Sequence, residues 1–220
     1  MKAIVFGGTG MVGSEVLQLC LNTPEITQVV MVGRRRTSLS HPKLKAVEHQ
    51  DFLDFAAIES ELADADICYY CLGVYQWQVS QVMFWQITVG YFEALLVSLE
   101  KVNPDIRLCL FSAQGASPAE KSLMMFANAK GRAEAKLNAS SLKGKYIFRP
   151  GFIAPGKVET KQTLSIRLFK PLYKLLPFIG INAPHLANVM VNTGLADGAD
   201  KVLENGEMRK LSKLPLNSYL

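Results

Sequence analysis

The chain opens with an apolar run followed by closely spaced glycines. Ala3–Phe6 is apolar throughout, which is typical of a strand buried on both faces of a parallel sheet. The glycines fit two related spacings, G-x-G-x-x-G starting at Gly8 and G-x-x-G-x-x-G starting at Gly7, and both end at Gly13. Either spacing predicts a tight turn that brings bare backbone close to a ligand.

A helix is predicted directly after this turn, because apolar residues recur at three- and four-residue intervals from Val12 through Val16. The free N–H groups and positive dipole end of such a helix hold a phosphate. The strand, turn and helix together predict a dinucleotide site, and a glycine turn without a ligand is the alternative. The residues expected to contact the cofactor are Gly7, Thr9, Gly10, Met11, Val12 and Gly13.

Length and composition favour a single domain over residues 1–220. A chain of 220 residues with 49% hydrophobic side chains can bury one sizeable core, and no segment has a linker composition. The start is too weakly apolar for a secretory signal, and no run approaches the ~20 apolar residues that span a bilayer. We therefore expect a cytoplasmic protein.

The net charge of +5 does not indicate a nucleic-acid partner. Lysines and arginines are scattered, and they form no basic patch with interleaved aromatic residues. An anionic cofactor accounts for this balance equally well, so we expect no nucleic acid.

Four cysteines lie inside apolar stretches, where an intracellular protein keeps them reduced. Cys68 and Cys71 have the spacing of a metal or redox motif, but they fall in a predicted strand, where residues three apart point to opposite faces. No second pair of ligands completes a zinc site. We therefore predict no metal.

Strand and helix patterns alternate along the first 150 residues. Further strands are predicted at 28–32, 44–48, 67–71, 106–111 and 146–148, and the longest helix at 80–99, where Val82 begins an apolar stripe. This alternation predicts an α/β fold, a doubly wound parallel sheet of the Rossmann type. Ligands bind such sheets at the carboxyl ends of the strands.

Arginines stand at the end of the second predicted strand, where dinucleotide folds contact the adenosine ribose. An acidic residue there would bind the 2′-hydroxyl of NAD, whereas an arginine pairs with the 2′-phosphate of NADP. Arg34 and Arg35 follow Gly33, and the segment contains no acidic residue. The position favours NADP over NAD, and a solvated basic loop is the alternative.

Other strand ends supply further candidates. Asp51 could accept the adenine amino group while Phe52 covers the ring, although Asp51 suits a helix N-cap equally well. At the end of the fourth strand, Cys71, Leu72 and Gly73 allow backbone to approach the cofactor.

The ordered set of motifs resembles the atypical short-chain dehydrogenase/reductase family, with the Tat-interacting-protein-like oxidoreductases as the most similar subgroup. The motifs are the glycine turn, Gly-Arg-Arg, Cys-Leu-Gly, Ser-Ala-x-Gly-Ala, a downstream lysine and Arg-Pro-Gly. The resemblance implies an NADP-binding Rossmann fold with a small C-terminal substrate cap. It implies catalytic roles for Ser112, which would orient the acceptor, and for Lys130, which would hold the nicotinamide ribose. It also implies cofactor contacts from Pro150, Gly151 and Phe152.

One position departs from the family pattern of Tyr-x-x-x-Lys. Four residues before Lys130 stands Phe126, which has no proton to give to a developing alkoxide. A positioned general acid contributes ~10²- to 10⁴-fold to such a reaction. We therefore expect an NAD(P)-dependent oxidoreductase or epimerase/dehydratase-like protein with weak or unusual activity, and Tyr75 is a candidate substitute acid. The alternative is a non-catalytic NADP-dependent sensor or scaffold that binds a protein partner.

Bulky apolar and basic residues mix in the segment 164–181. Two prolines interrupt it, and it suits either a substrate cap within residues 152–200 or contact with a membrane surface. We favour the cap, which would cover an apolar carbonyl or quinone-like substrate, and not the membrane contact. The sequence leaves the oligomeric state open.

Overall fold

Strands and helices alternate along the described residues, which are 1–35, 37–156, 179–196 and 198–213 of a computed structural model. The strands are β1 (Lys2–Phe6), β2 (Gln28–Gly33), β3 (Leu44–Glu48), β4 (Ile67–Tyr70), β5 (Arg107–Phe111), β6 (Gly144–Arg149), β7 (Phe152–Ala154), β8 (Gly180–Asn182) and β9 (Lys201–Glu204). The helices are α1 (Met11–Asn22), α2 (Glu59–Leu62), α3 (Gln81–Trp85), α4 (Tyr91–Val102), α5 (Met125–Ala139), α6 (Ala183–Leu195) and α7 (Asn205–Leu211).

Seven strands form one parallel sheet in the order β3-β2-β1-β4-β5-β6-β9. Side chains alternate between its two faces, so that Val5 packs with α1 and α6 while Ile4 packs with α2 and α4. The predicted doubly wound α/β fold is confirmed. Cys68 and Cys71 lie on opposite faces as expected, and all four cysteines are free.

Two apolar cores hold helices against the sheet. One face is covered by α1, α6 and α7, and the other by α2, α4 and α5. Parallel strands need this double cover because both of their faces are apolar. The arrangement leaves the carboxyl-terminal edge of the sheet to the loops.

The longest predicted helix is real but its apolar stripe begins elsewhere. A π-helical segment, Gln86–Gly90, joins α3 to α4, and the buried side chains in this first half are Phe84 and Thr88. Val82, where we placed the start of the stripe, is 78% exposed. The wider π turn moves the buried side away from the spacing that an α-helix predicts.

The continuous run Gln81–Val102 is also long and apolar enough to cross a membrane by length and composition alone. Its mean hydropathy reaches 1.5 although scattered polar residues interrupt the apolar run. Phe92, Leu95 and Leu99 pack against the sheet, as in the core helix of a globular domain.

Two features of the C-terminal third were not predicted. β9 pairs with β6 at the edge of the main sheet, and β7 pairs with β8 in a separate two-stranded sheet. These strands of three or four residues are too short for a clear periodicity. Most of the predicted cap segment, residues 157–178, lies outside the described residues. Within the proposed cap range, α6 packs into the core beside α1.

The contact between α5 and the loop after β5 provides a test of this packing. A Cβ at Gly131 would lie 2.0 Å from the carbonyl carbon of Ser117, so only glycine fits. We expect Gly131→Ala to lower the free energy of unfolding by about 1–3 kcal/mol, as overpacking does, measured by urea denaturation. The control is Gly206→Ala in α7, where no atom lies within 4 Å. That substitution should leave the free energy of unfolding unchanged or raise it. Equal losses of stability in both variants would contradict the close contact between Gly131 and Ser117.

Candidate functional site

The carboxyl ends of the strands gather nearly all predicted site residues along one edge of the sheet. Parallel register aligns these ends, pairing Phe6 with Val32 and Tyr70, Tyr70 with Leu110, and Phe111 with Phe148. The turns that follow β1, β2, β4, β5 and β6 therefore lie side by side. This edge is the place where doubly wound folds bind ligands.

The glycine turn is close-packed against the end of β4. Gly7 has φ of +78°, and a Cβ there would lie 2.8 Å from the Cys71 carbonyl oxygen. A Cβ at Gly13 would lie 2.2 Å from the Gly7 carbonyl oxygen. Gly8 has no such backbone contact, because its hypothetical Cβ meets the side chains of Met31 and Leu17. The register that the packing requires is therefore Gly7, Gly10 and Gly13.

The same turn presents the N-terminus of α1 to the edge of the sheet. The Gly10 amide donates to the Gly7 carbonyl oxygen at 2.9 Å, and Met11 then begins the helix. Among the described residues no side chain caps this end, and its first turn contains no acidic residue. The first N–H groups of a helix have no partner within it, so they are available to an anion. The turn fits the pyrophosphate of a dinucleotide.

Cys71, Leu72 and Gly73 lie directly beside this turn. The Cys71 amide donates to the Phe6 carbonyl oxygen at 3.0 Å, which fixes the end of β4 against β1. Burial raises the pKa of the Cys71 thiol to about 12, so the thiol is neutral near pH 7. Gly73 is exposed, with no atom within 4 Å of a hypothetical Cβ, and its backbone is accessible.

Arg34 and Arg35 follow β2, and both are exposed. No described carboxylate forms an ion pair with either guanidinium. The backbone carbonyl of Arg34 accepts a hydrogen bond from Gln50 Nε2 at 2.8 Å, which ties this turn to the end of β3. The two guanidinium groups are thus available to an anionic ligand at the edge of the sheet.

Asp51 and Phe52 occupy the adjacent turn after β3. Asp51 Oδ1 accepts from the Leu53 amide at 2.9 Å, so the residue closes a local turn and is not the cap of a helix. Phe52 is 3% exposed and packs edge-on against Phe6 and Phe55. Its ring belongs to the core, which corrects the expectation that it lies open to cover adenine.

Ser112 also differs from expectation. The residue is 1% exposed, and its hydroxyl donates to Glu134 Oε1 at 2.5 Å. Arg149 binds both oxygens of the same carboxylate, through Nε at 3.0 Å and Nη2 at 2.5 Å, and it reaches Glu204 at 2.8 Å. The Ser112 hydroxyl is committed to this buried network, so its surroundings do not support the predicted role of orienting a substrate.

Lys130 lies on α5 beside the end of β5. Its Nζ donates to the Phe111 carbonyl oxygen at 3.1 Å and lies 5.4 Å from the centre of the Phe111 ring. Burial lowers the pKa of Lys130 to about 8, and the neighbouring Glu134 charge opposes that shift. Phe126 lies one turn earlier on the same helix, so a lysine with a lowered pKa has no phenol in the position that the family pattern gives to tyrosine.

The turn after β6 completes the edge. The Gln114 amide donates to the Pro150 carbonyl oxygen at 2.8 Å, and the Gly151 amide donates to Asn205 Oδ1 at 3.1 Å. A Cβ at Gly151 would lie 2.3 Å from the Ile179 carbonyl oxygen, so this turn is close-packed. Phe152 then begins β7 and is partly exposed.

Comparison with known proteins identifies the family. The sequence profile of the NAD dependent epimerase/dehydratase family matches residues 3–132, which include the glycine turn and Lys130. The chain belongs to this family. The predicted membership among the atypical short-chain dehydrogenases/reductases is thereby confirmed. Family membership and the glycine turn together support a nicotinamide dinucleotide as the cofactor.

The chain is also similar in sequence to two curated proteins. The chain is 27% identical to Protein FMP52-1, mitochondrial, of Scheffersomyces stipitis over 97% of this chain and 98% of that protein. It is 24% identical to Protein HTATIP2 of Rattus norvegicus over 73% of this chain and 66% of that protein. The second relative bears out the predicted resemblance to the Tat-interacting-protein-like subgroup.

The fold of the chain is similar to that of several solved structures. The Bordetella bronchiseptica enzyme WbmH, in complex with NAD+, superposes with a TM-score of 0.70 at 17% identity over 96% of this chain and 79% of that chain. A short chain dehydrogenase family protein from Francisella tularensis superposes with a TM-score of 0.66 at 12% identity over 94% of this chain and 98% of that chain. Likeness at this level of identity establishes the Rossmann fold.

Sequence reasoning missed the role of Glu134. Its helical spacing from Lys130 is visible in the sequence, but the partners Ser112 and Arg149 are 22 and 15 residues away. A carboxylate that is 0% exposed needs such partners. The signal that was available is a glutamate next to Ala133 and one turn from Leu137, which are both core positions.

The environment of Ser112 generates a test. We expect Ser112→Ala to lower the free energy of unfolding by about 1–3 kcal/mol, because the variant removes a buried hydrogen bond to a charged group. Cofactor affinity measured by calorimetry should stay the same. Ser141→Ala is the matched control, since that hydroxyl donates to Glu100 at the surface at 3.1 Å and its loss should cost below about 0.5 kcal/mol. A Ser112→Ala protein of normal stability and unchanged cofactor affinity that loses NADPH-dependent reduction would restore the predicted role of orienting a substrate.

Proposed function

We propose that the protein is an NADP-binding oxidoreductase of the atypical short-chain type, with weak reduction of an apolar carbonyl or quinone-like substrate. The observation that carries this proposal is the pairing of a glycine turn that fits a pyrophosphate with two exposed arginines at the end of β2 that form no ion pair with any described carboxylate. The pyrophosphate site argues for a dinucleotide, and the arginines argue for the phosphorylated form.

The preference for NADP rests on charge. Arg34 and Arg35 can form charge-assisted hydrogen bonds with a 2′-phosphate, which NAD lacks. The acidic residue beside them is Glu48, opposite Gly33 in the neighbouring strand, and its side chain accepts a hydrogen bond from Gln50 at 3.0 Å. Two guanidinium groups against one engaged carboxylate favour an anionic ligand.

The proposed substrate class follows from apolar side chains in the loops after β4 and β5. Trp77 is 65% exposed and stacks against Tyr75 with ring centres 4.5 Å apart, while Leu123 and Met124 are 104% and 61% exposed. Exposed apolar side chains in these loops can contact an apolar ligand. An apolar carbonyl or quinone-like molecule suits such loops better than a sugar nucleotide.

The proposed weak activity rests on Phe126. The cofactor supplies hydride chemistry when bound, and a reduction also needs a proton for the carbonyl oxygen. Phenylalanine cannot supply that proton, and the Ser112 hydroxyl is held by Glu134. Lys130 and the backbone of the glycine turn can still hold a cofactor, so binding is expected to survive where catalysis is slow.

The same observation supports a second candidate, a non-catalytic NADP-dependent sensor or scaffold. Loss of the acid without loss of the cofactor turn is the pattern expected when binding is the retained property. The exposed Trp77 and Leu123 would then lie on the surface that contacts a protein partner. Reduction assays on the variants below separate the two candidates.

A cytoplasmic location is also part of the proposal. The relative FMP52-1 is named as mitochondrial, so fractionation of cells that express the tagged chain is the decisive measurement. Recovery in the mitochondrial fraction would overturn the proposed location without affecting the cofactor argument.

Removal of the arginines tests the cofactor preference. We expect the double substitution Arg34→Ala, Arg35→Ala to weaken NADP binding by about 10- to 100-fold, as the loss of charge-assisted hydrogen bonds predicts. NAD affinity should change little. Isothermal titration calorimetry with both dinucleotides measures the difference.

The matched control removes two charges at the opposite edge of the sheet. Lys101 lies near the end of α4 and Lys201 begins β9, and both are exposed. Lys101→Ala, Lys201→Ala should leave the NADP preference intact. A wild-type protein that binds NAD as tightly as NADP would contradict the proposed preference for NADP.

Restoring the phenol tests the catalytic argument. We expect Phe126→Tyr to raise NADPH-dependent reduction across a panel of apolar carbonyls and quinones by at least about 10²-fold, the contribution of a positioned acid. Phe126→Leu, which restores no proton donor, should give no increase. If the wild type already reduces a panel member efficiently, the inference from Phe126 is wrong.

A further inference from the structure

Glu134 is the most deeply buried charged group at the carboxyl edge of the sheet among the described residues. Its side chain is 0% exposed, and its two oxygens receive Ser112 Oγ, Arg149 Nε and Arg149 Nη2. Burying a carboxylate is costly unless it is paired and hydrogen-bonded, and here both conditions are met. The carboxylate is therefore held by a dense set of donors.

The partners of Glu134 come from the ends of β5 and β6. Ser112 follows β5 and Arg149 ends β6, while Arg149 also binds Glu204 at the end of β9. Arg149 leads directly into the Pro150–Gly151 turn, which the Gln114 amide contacts at 2.8 Å. One carboxylate thus connects α5 to three neighbouring strand ends.

Lys130 stands one helical turn before Glu134, the spacing at which side chains on a helix interact. The charged and titratable groups that act on it are Glu134 on its own helix and the Cys71 thiol at the end of β4. Cys71 is neutral near pH 7 because its pKa is about 12, so Glu134 is the source of negative charge. The Phe111 carbonyl oxygen and ring hold the ammonium from the β5 side.

We propose that Glu134 is the positioning residue of the nicotinamide end of this site. It keeps Lys130 protonated in a partly buried setting, and through Ser112 and Arg149 it holds the ends of β5 and β6 against α5. Ser112 thereby serves the carboxylate, and Lys130 is the group that faces the cofactor. The role rests on the proposed cofactor function, but the coupling between Glu134 and Lys130 can be measured without any cofactor.

The sign of the expected effect follows from charge. Burial favours the neutral amine and lowers the pKa of Lys130, and the Glu134 carboxylate opposes this. Replacing Glu134 with the neutral, nearly isosteric glutamine removes the opposing charge. The pKa of Lys130 should then fall further below 8, so that less of the ammonium form is present at neutral pH.

The experiment is an NMR titration of the free protein labelled with ¹³C at the lysine ε-carbons, with the Lys130 signal assigned by its loss in Lys130→Arg. We expect Glu134→Gln to lower the Lys130 pKa by about one unit or more, a tenfold change in the protonation ratio. Glu120→Gln is the control, because Glu120 pairs with Arg132 at the surface of the same helix and its loss should leave Lys130 unchanged. A folded Glu134→Gln protein with an unchanged or raised Lys130 pKa overturns the proposal.

Glu134→Asp covers the case in which the glutamine variant fails to fold. It keeps the charge but withdraws it by one methylene, so the Lys130 pKa should fall by a smaller amount. An unchanged value in a folded Glu134→Asp protein would again overturn the proposal.

A second measurement connects the coupling to the cofactor. In the wild type, NADP affinity should weaken as the pH rises through about 8, the pKa of Lys130, and Glu134→Gln should move this midpoint to lower pH. In the Lys130→Arg background the midpoint should disappear and Glu134→Gln should have no effect on it, because arginine stays charged. A glutamine effect that persists with arginine at position 130 would show that Glu134 does not act through the lysine. A protein that binds neither NADP nor NAD but shows the shifted lysine pKa would overturn the cofactor function and leave the coupling intact.

Discussion

The close approach of Gly13 to the Gly7 carbonyl oxygen is the contact on which the site at the carboxyl-terminal edge of the sheet depends. Any side chain at either position would push α1 away from β1 or push the turn away from Cys71. Without this approach, the N-terminus of α1 would not point along the edge where the carboxyl ends of β1 and β4 meet. A steric requirement of two glycines therefore sets both the packing of the first helix and the direction of its free N–H groups.

A second constraint acts at the other end of the site, around Glu134. It comes from buried charge and not from close packing. Removing one partner of a buried ion pair typically costs about 3–5 kcal/mol, because the remaining charge is left unpaired. Glu134 and Arg149 are bound by that constraint, so α5 and β6 keep one relative position. Burial lowers the pKa of Lys130 on the same helix to about 8, and the Glu134 carboxylate opposes that shift. The two ends of the site are thus held in place by different interactions, close backbone packing at one and a buried ion pair at the other.

These two constraints explain how far sequence could lead. The glycine turn was predictable because its requirement is local, and the main strands were predictable because burial on both faces makes them apolar throughout. Phe52 has a predicted adenine contact from its place at a strand end, and Ser112 has a predicted substrate contact from the family resemblance, but both side chains are buried. Their burial depends on residues distant in sequence, Phe6 for the first and Glu134 for the second. The pairing of β7 with β8 was equally hidden, because two strands of three residues carry no periodic signal.

The burial of Ser112 strengthens the argument from Phe126 that the site has no free proton donor. Taken alone, a phenylalanine in place of tyrosine removes one proton donor and leaves the rest of a catalytic set in place. Here the serine hydroxyl is also withdrawn, because it donates to a carboxylate that is itself needed to neutralise Arg149. Lys130 is then the one member of the expected catalytic set that still has a charged group at the cofactor edge. The glycine turn and Lys130 keep features that suit a cofactor, whereas neither Phe126 nor Ser112 offers a free proton donor at the same edge, for reasons of side-chain chemistry at the first position and of packing and charge at the second.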